Sequence, residues 1–145
     1  MITNSTNEIF TIWVANKPSP IILNCWKSWV DHGYRLNLWV DQESFGKVWS
    51  LPLALSSRIS VNYLSSLNRG SYIYSKEKLL HYIDLWRFII LKKYGGTWLD
   101  SDIYMISRLP TQKIIISSEH TLKKGAFKSY VDKKPNIGIL RFPPN

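Results

Sequence analysis

Leu79-Leu80-His81-Tyr82-Ile83-Asp84-Leu85-Trp86-Arg87-Phe88-Ile89-Ile90-Leu91-Lys92-Lys93 runs into Tyr94-Gly95-Gly96-Thr97-Trp98-Leu99-Asp100-Ser101-Asp102, and the reading of the chain turns on this stretch. The first part has no Gly or Pro and reads as a helix. Ser75 stands where a cap would open it, although Lys78 is not the Glu of a capping box. Gly95-Gly96 supplies the left-handed stop, and Lys92 and Lys93 face the negative end of the helix dipole. Leu80, Phe88 and Leu91 share an arc with Asp84 and Arg87, so the helix is apolar almost all round and is expected to be buried. Thr97-Trp98-Leu99 then begins a strand leading to Asp100 and Asp102. In extended backbone, residues i and i+2 point to one face, which would set the two carboxylates side by side at the strand's end.

Two carboxylates that close repel unless one is protonated or a cation lies between them. Hard oxygen ligands at this spacing suit Mg²⁺ or Mn²⁺, completed by water and substrate phosphate. A bare Asp-x-Asp is more often a solvated acidic turn. Here it follows an apolar strand, and open α/β sheets deliver their ligands at the carboxyl ends of strands. Upstream, Asp84 and Arg87 lie on a helix that must satisfy both charges. They could pair with each other one turn apart, or form a rigid fork aimed at a polyhydroxylated ligand.

Outward from this segment, Ile9-Phe10-Thr11-Ile12-Trp13-Val14 is β-branched and aromatic throughout and reads as a buried strand. Ser19-Pro20 opens a helix carrying Ile21, Ile22, Cys25, Trp26 and Trp29, which should stop at Gly33. Tyr34 to Val40 alternates as a second strand with Tyr34, Leu36, Leu38 and Val40 on one face, ending at Asp41. Strand, helix, strand within so few residues predicts a βαβ unit with parallel strands. Residues 51 to 75, rich in serine, read as irregular loop with one short helix. Ile103 to Ile106 should continue extended, and Lys113 to Ile116 and Ile137 to Leu140 should be short strands. The alternation argues for an α/β sandwich. Trp26, Trp29, Trp39, Trp86 and Trp98 are expected in the core. His81 is expected to pack against its neighbours, and Cys25, the one cysteine, to be a small buried hydrophobe.

Composition narrows the class. The 145 residues suit one domain, 1–145, and the longest apolar run, Phe88 to Leu91, is far too short to span a bilayer. One cysteine excludes an internal disulfide. Met1 to Glu8 shows neither a basic nor an apolar leader region, so a cytoplasmic protein is expected. Lys and Arg number 19 against 10 Asp and Glu, a net charge of +9. A basic, Trp-rich surface fits a nucleic acid, an anionic lipid face or a phosphorylated substrate.

The segment from Asp84 to Asp102 closely resembles the signature of DXD glycosyltransferases of the sugar-binding-region type. These include family 32 mannosyl- and galactosyltransferases, capsular polysaccharide transferases and the glucosylating domains of large clostridial toxins. The signature joins Asp-x-x-Arg, Tyr-Gly-Gly, an aromatic strand and Asp-x-Asp at fixed spacing. Ile12-Trp13-Val14, Trp26 with Trp29, Leu38-Trp39 before Asp41, and Asn136-Ile137-Gly138-Ile139 are also similar to that group, so the likeness runs from about Ile9 to Pro143.

The resemblance implies a GT-A-like nucleotide-sugar-binding sandwich. Trp13 would stack on the nucleobase, although a core role on its strand is the plain alternative. Asp84 and Arg87 would hold the donor sugar's hydroxyls and phosphate side. Asp102 would bind Mn²⁺ (or Mg²⁺) directly, with Asp100 reaching ribose, sugar or metal-bound water. Both aspartates would be catalytic. The donor would be a UDP- or GDP-hexose, transferred with retention to a glycan or glycolipid acceptor in polysaccharide or glycolipid assembly such as a capsule. Peripheral association with the inner face of an anionic membrane would use the basic surface, and nucleic acid is not an expected partner.

Two substitutions depart from the group: Ala15-Asn16 replaces the Gly often found after the first strand, and Ile83 replaces a common Ser before Asp84. The chain is also short, so an N-terminal donor-binding portion with the acceptor-binding part short or missing is expected. The rivals are a truncated, weakly active nucleotide-sugar or glycan binder and a basic nucleic-acid-binding module. A phosphohydrolase is disfavoured because it would carry Asp-x-Asp on its first strand.

Overall fold

The computed structural model describes residues 7–67, 78–124 and 129–143, with the backbone alone over 119–124 and 129–135. The first unit is β1 (Glu8–Trp13), α1 (Pro20–Asp31) and β2 (Arg35–Val40), with β1 and β2 parallel in the register Ile9 to Leu36 through Trp13 to Val40. Ser19 caps α1 by accepting the Ile22 N–H, Pro20 occupies the first turn, and the chain leaves the helix at Gly33 with φ +84°. These are the start and stop signals expected for this helix.

A short helix, α2 (Leu53–Ser56), leads to β3 (Ile59–Tyr63), which pairs parallel to β2, and then to a 3-10 turn, Leu64–Leu67. The loop expected over this stretch therefore contains a strand. Ile59, Val61 and Tyr63 alternate correctly, but Ser60 and Asn62 between them read as loop residues, and only pairing with β2 makes the segment a strand. Ser75 lies outside the described residues.

Helix α3 (Leu79–Tyr94) feeds β4 (Gly96–Leu99), which lies parallel to β1 on the side away from β2. Gly96 has φ +89°, and a Cβ there would stand 2.7 Å from the Phe10 ring. The junction thus requires glycine for both backbone and space. The sheet closes with a long hairpin, β5 (Ile115–Lys124) and β6 (Ser129–Phe142), β6 running antiparallel to β4. The order is β3-β2-β1-β4-β6-β5. The two short strands expected here are longer because backbone pairing continues through polar sequence that carries no alternation signal. Ile103 to Ile106 lies outside the sheet.

Helices cover both faces. On one, Cys25, Trp26 and Trp29 of α1 pack with Ile9, Leu36, Leu38, Val40 and Leu99; on the other, Trp86, Ile90 and Leu91 of α3 pack with Phe10, Ile12, Trp39, Trp98 and Leu140. Tyr34, Leu36, Leu38 and Val40 share the α1 face as expected, and the five tryptophans assigned to the core are all buried. The expectation that α3 is buried all round is wrong. It presses one face on the sheet and leaves Leu80, His81, Leu85 and Phe88 exposed, because among the described residues no second layer covers it. No helix of the described residues is long and apolar enough to cross a membrane.

Candidate functional site

From β1 the chain steps outward to β2 and β3, then returns to place β4 on the other side of β1. The carboxyl ends of β1 and β4 therefore part at a topological switch point, where open α/β sheets form their ligand crevice. A cleft of about 660 Å³ opens there, within the usual size of small-molecule sites. Trp13, Asp84, Arg87, Asp100 and Asp102 all line it. These five residues come from β1, α3 and the turn after β4.

Asp100 is the fixed member. Its Oδ1 accepts from Trp98 Nε1 at 2.7 Å and from Arg87 Nη2 at 3.0 Å, while its backbone N–H donates to the Gly138 carbonyl at 2.9 Å. Arg87 is only 4% exposed. Its Nη1 donates to the Ile137 carbonyl at 2.8 Å, its Nη2 also lies 3.4 Å from Asp84, and its guanidinium sits 4.9 Å from the Trp98 ring centre. The i,i+3 pair with Asp84 exists, but the shorter bond goes to Asp100. Both Nη atoms are engaged by the protein, so Arg87 braces Asp100, and the half-exposed Asp84 and Asp100 face the cleft.

The brace depends on an irregularity in β6. Ile116 pairs with Leu140 and Ser117 with Asn136, which leaves Ile137, Gly138 and Ile139 outside the β5–β6 ladder register. Ser117 Oγ donates to the Asn136 carbonyl and accepts from Ile139 N, and the Asn136 side chain accepts the Gly138 N–H. Within this bulge the Ile137 carbonyl meets Arg87, while the Gly138 carbonyl continues the β4–β6 ladder to the Asp100 N–H. A Cβ at Gly138 would stand 3.1 Å from Asp100 Oδ2 and 2.8 Å from Asn136 Oδ1. The bulge was missed as a site element; the glycine inside the apolar Ile137-Gly138-Ile139 run was the signal that could have marked it.

Asp102 is positioned otherwise than expected. The Ile103 N–H donates to the Asp100 carbonyl, closing a turn over 100–103, so the two aspartates do not share a face through strand pleating. They meet in the cleft because the turn is tied down at its centre. Ser101 Oγ donates to the Ile12 carbonyl and lies 2.9 Å from Thr11 Oγ1. Beyond it, Trp29 Nε1 donates to Ile103 O and the Met105 N–H to Ser28 Oγ, pinning the segment to α1. Asp102 is exposed, and among the described residues nothing hydrogen-bonds or pairs with its carboxylate. Burial, and then the charge of Asp102, push the Cys25 thiol up, so the cysteine stays protonated.

These oxygens fit a hard divalent cation. Among the described residues no group of three His, Cys, Asp or Glu side chains could hold one alone, so water and substrate phosphate would complete the coordination, as is usual for Mg²⁺-type sites.

Trp13 is half-buried, set edge-on to Trp26 with ring centres 5.8 Å apart, and its indole N–H donates to Asn16 O at 2.6 Å. It both packs and lines the cleft. The loop after it turns through Ala15 at φ +70°, a conformation that favours glycine. The Ala15 N–H donates to Asp41 Oδ2 at 2.9 Å, and the same carboxylate accepts from Ser44 N and Oγ. Burial pushes the Asp41 carboxyl up, but these hydrogen bonds outweigh it and hold the group below its ordinary value. Asp41, read in the sequence only as a strand end, is thus the clamp on the loop beside Trp13.

An open doubly wound sheet with carboxylates at its switch point defines an α/β ligand-binding domain, here of GT-A-like form. The chain belongs to the family of glycosyltransferase sugar-binding regions containing a DXD motif, whose model matches residues 13–121. That span holds Trp13, Asp84, Arg87, Asp100 and Asp102 and stops before the β6 bulge. Among solved structures the chain is similar to PaToxG Glycosyltransferase, with a TM-score of 0.57 and 17% identity over 94% of this chain and 55% of that one. The chain therefore spans about half the length of that structure. A comparison with curated proteins finds no match.

Proposed function

We propose that the protein is a metal-dependent glycosyltransferase that moves a hexose from a UDP- or GDP-sugar to a hydroxyl of a glycan or glycolipid acceptor, with retention of configuration. The observation that carries the proposal is the cleft itself, in which Trp13, Asp84 and both carboxylates of the Asp-x-Asp turn converge. Trp13 offers a ring face to the base. Asp84 accepts hydrogen bonds from sugar hydroxyls. Asp100, held by Arg87 and Trp98, and Asp102, free to ligate, would hold Mn²⁺ or Mg²⁺. When bound, that ion offsets the charge developing on the departing diphosphate. Ile22, Leu79 and Ile83 give the cleft an apolar wall that would restrict water around a bound donor.

The test is thermal unfolding with UDP- and GDP-hexoses, with and without Mn²⁺, on wild type and Asp102→Asn, followed by an assay of nucleotide release. Stabilisation that needs both Mn²⁺ and Asp102, together with sugar transfer, is expected. Stabilisation without release would leave a nucleotide-sugar-binding protein. A protein indifferent to nucleotides whose affinity for nucleic acid falls steeply with salt and ignores Asp102→Asn would overturn the reading.

A further inference from the structure

The cleft does not account for the outer face of α3. Leu85 and Phe88 are 47% and 48% exposed, and Phe88, Leu91 and Lys92 form one wall of a groove of about 450 Å³ completed by Ile114, Phe142 and Pro143. Ile114 and Ile116 beside it are both more than half exposed. Apolar side chains clustered in this way mark an interaction surface.

Charge indicates the occupant. Lys92 is exposed beside the groove, exposed Lys113 adjoins Ile114, and Lys93, also exposed, lies over the Tyr94 ring on the flank of the helix. The helix has one acidic residue, Asp84, and Arg87 engages it. In a symmetric pairing of two copies, each Lys92 would be brought toward its own counterpart in chains that each carry +9, which opposes self-association. An anionic lipid leaflet meets both features. Phe88 and Ile114 can enter the headgroup boundary while lysine stems lie along the apolar surface and their ammonium groups reach phosphates. We propose that the outer face of α3, with Phe88, Lys92 and Ile114 at its centre and Lys113 beside it, docks the protein on anionic phospholipid membranes. The docking uses no donor, so it stands or falls apart from the transfer reaction.

The experiment is co-sedimentation with phosphatidylcholine vesicles and with mixed phosphatidylcholine and phosphatidylserine vesicles at low salt. Partition onto the mixed vesicles should exceed that onto neutral ones by on the order of ten-fold, and added salt should reduce it. Phe88→Glu, and separately Lys92→Ala with Lys113→Ala, should each lower it by on the order of ten-fold with the melting midpoint unchanged, since these side chains are exposed. If Phe88→Glu disturbs folding, the lysine pair carries the test. Equal partition onto both vesicle types, or variants that bind like wild type, overturns the inference. So does a dimer, seen by light scattering, that Phe88→Glu dissociates, because the face would then belong to a second copy.

Discussion

Replacing Arg87 by Met tests whether this residue positions Asp100. The substitution keeps an unbranched apolar stem against Trp98 but removes the bonds to Ile137 O at 2.8 Å and Asp100 Oδ1 at 3.0 Å, with the longer contact to Asp84 at 3.4 Å. Charge-assisted hydrogen bonds contribute about 1.5–3 kcal/mol each. Two effects reduce the sum. The Asp100 side chain is 37% exposed and can be rehydrated, and removing a buried guanidinium recovers part of its desolvation cost. A net loss of about 2 kcal/mol follows, a fall in Tm of about 6 °C for a domain of this size. Asp100 would retain only the Trp98 N–H on its side chain, so Mn²⁺-dependent stabilisation by nucleotide should weaken by on the order of ten-fold. Arg87→Lys preserves the charge but cannot span both acceptors, and should fall between the two. The assay is thermal unfolding of the three proteins with and without Mn²⁺ and nucleotide. A Met variant that melts with wild type and keeps the full ligand shift refutes the brace. Unchanged stability with loss of the ligand shift would instead mean that Arg87 contacts the donor directly.

Two further outcomes follow from the loop beside Trp13. Ala15→Gly should raise stability by about 0.5 kcal/mol, because relief of an alanine at positive φ slightly exceeds the added entropy of the unfolded chain; a calorimetric Tm lower than wild type would show that φ +70° is not strained here. Asp41 has a depressed folded pKa, so its stabilising contribution is complete above its unfolded value of about 4 and is lost as pH falls through the folded value. Wild type should therefore exceed Asp41→Asn in Tm at neutral pH, with the gap closing below about pH 4; a gap independent of pH would refute the account.

The first hundred residues were the most legible because their signals are local. Ser19-Pro20 and Gly33 bound α1, alternation from Tyr34 to Val40 gives β2, and Gly95-Gly96 ends α3. β3 was hidden by Ser60 and Asn62, and the hairpin β5–β6 by polar sequence, since both are strands through pairing with a neighbour. The outer face of α3 was misjudged because periodicity reports how apolar a helix is, without counting the layers available to cover it.

By itself the sequence determined the chemistry at hand: an Asp-x-Asp after an apolar strand, an Asp-x-x-Arg on the preceding helix, and an aromatic first strand. Residue type and short spacing suffice for these. Only the tertiary structure decided how they act. It set β4 beside β1 at the switch point, replaced the assumed pleat by a turn at Asp100–Ile103, and bonded Arg87 to Asp100 and to the Ile137 carbonyl. Each of these depends on contacts between segments distant in the chain, above all the carbonyls of the β6 bulge, which no local pattern encodes.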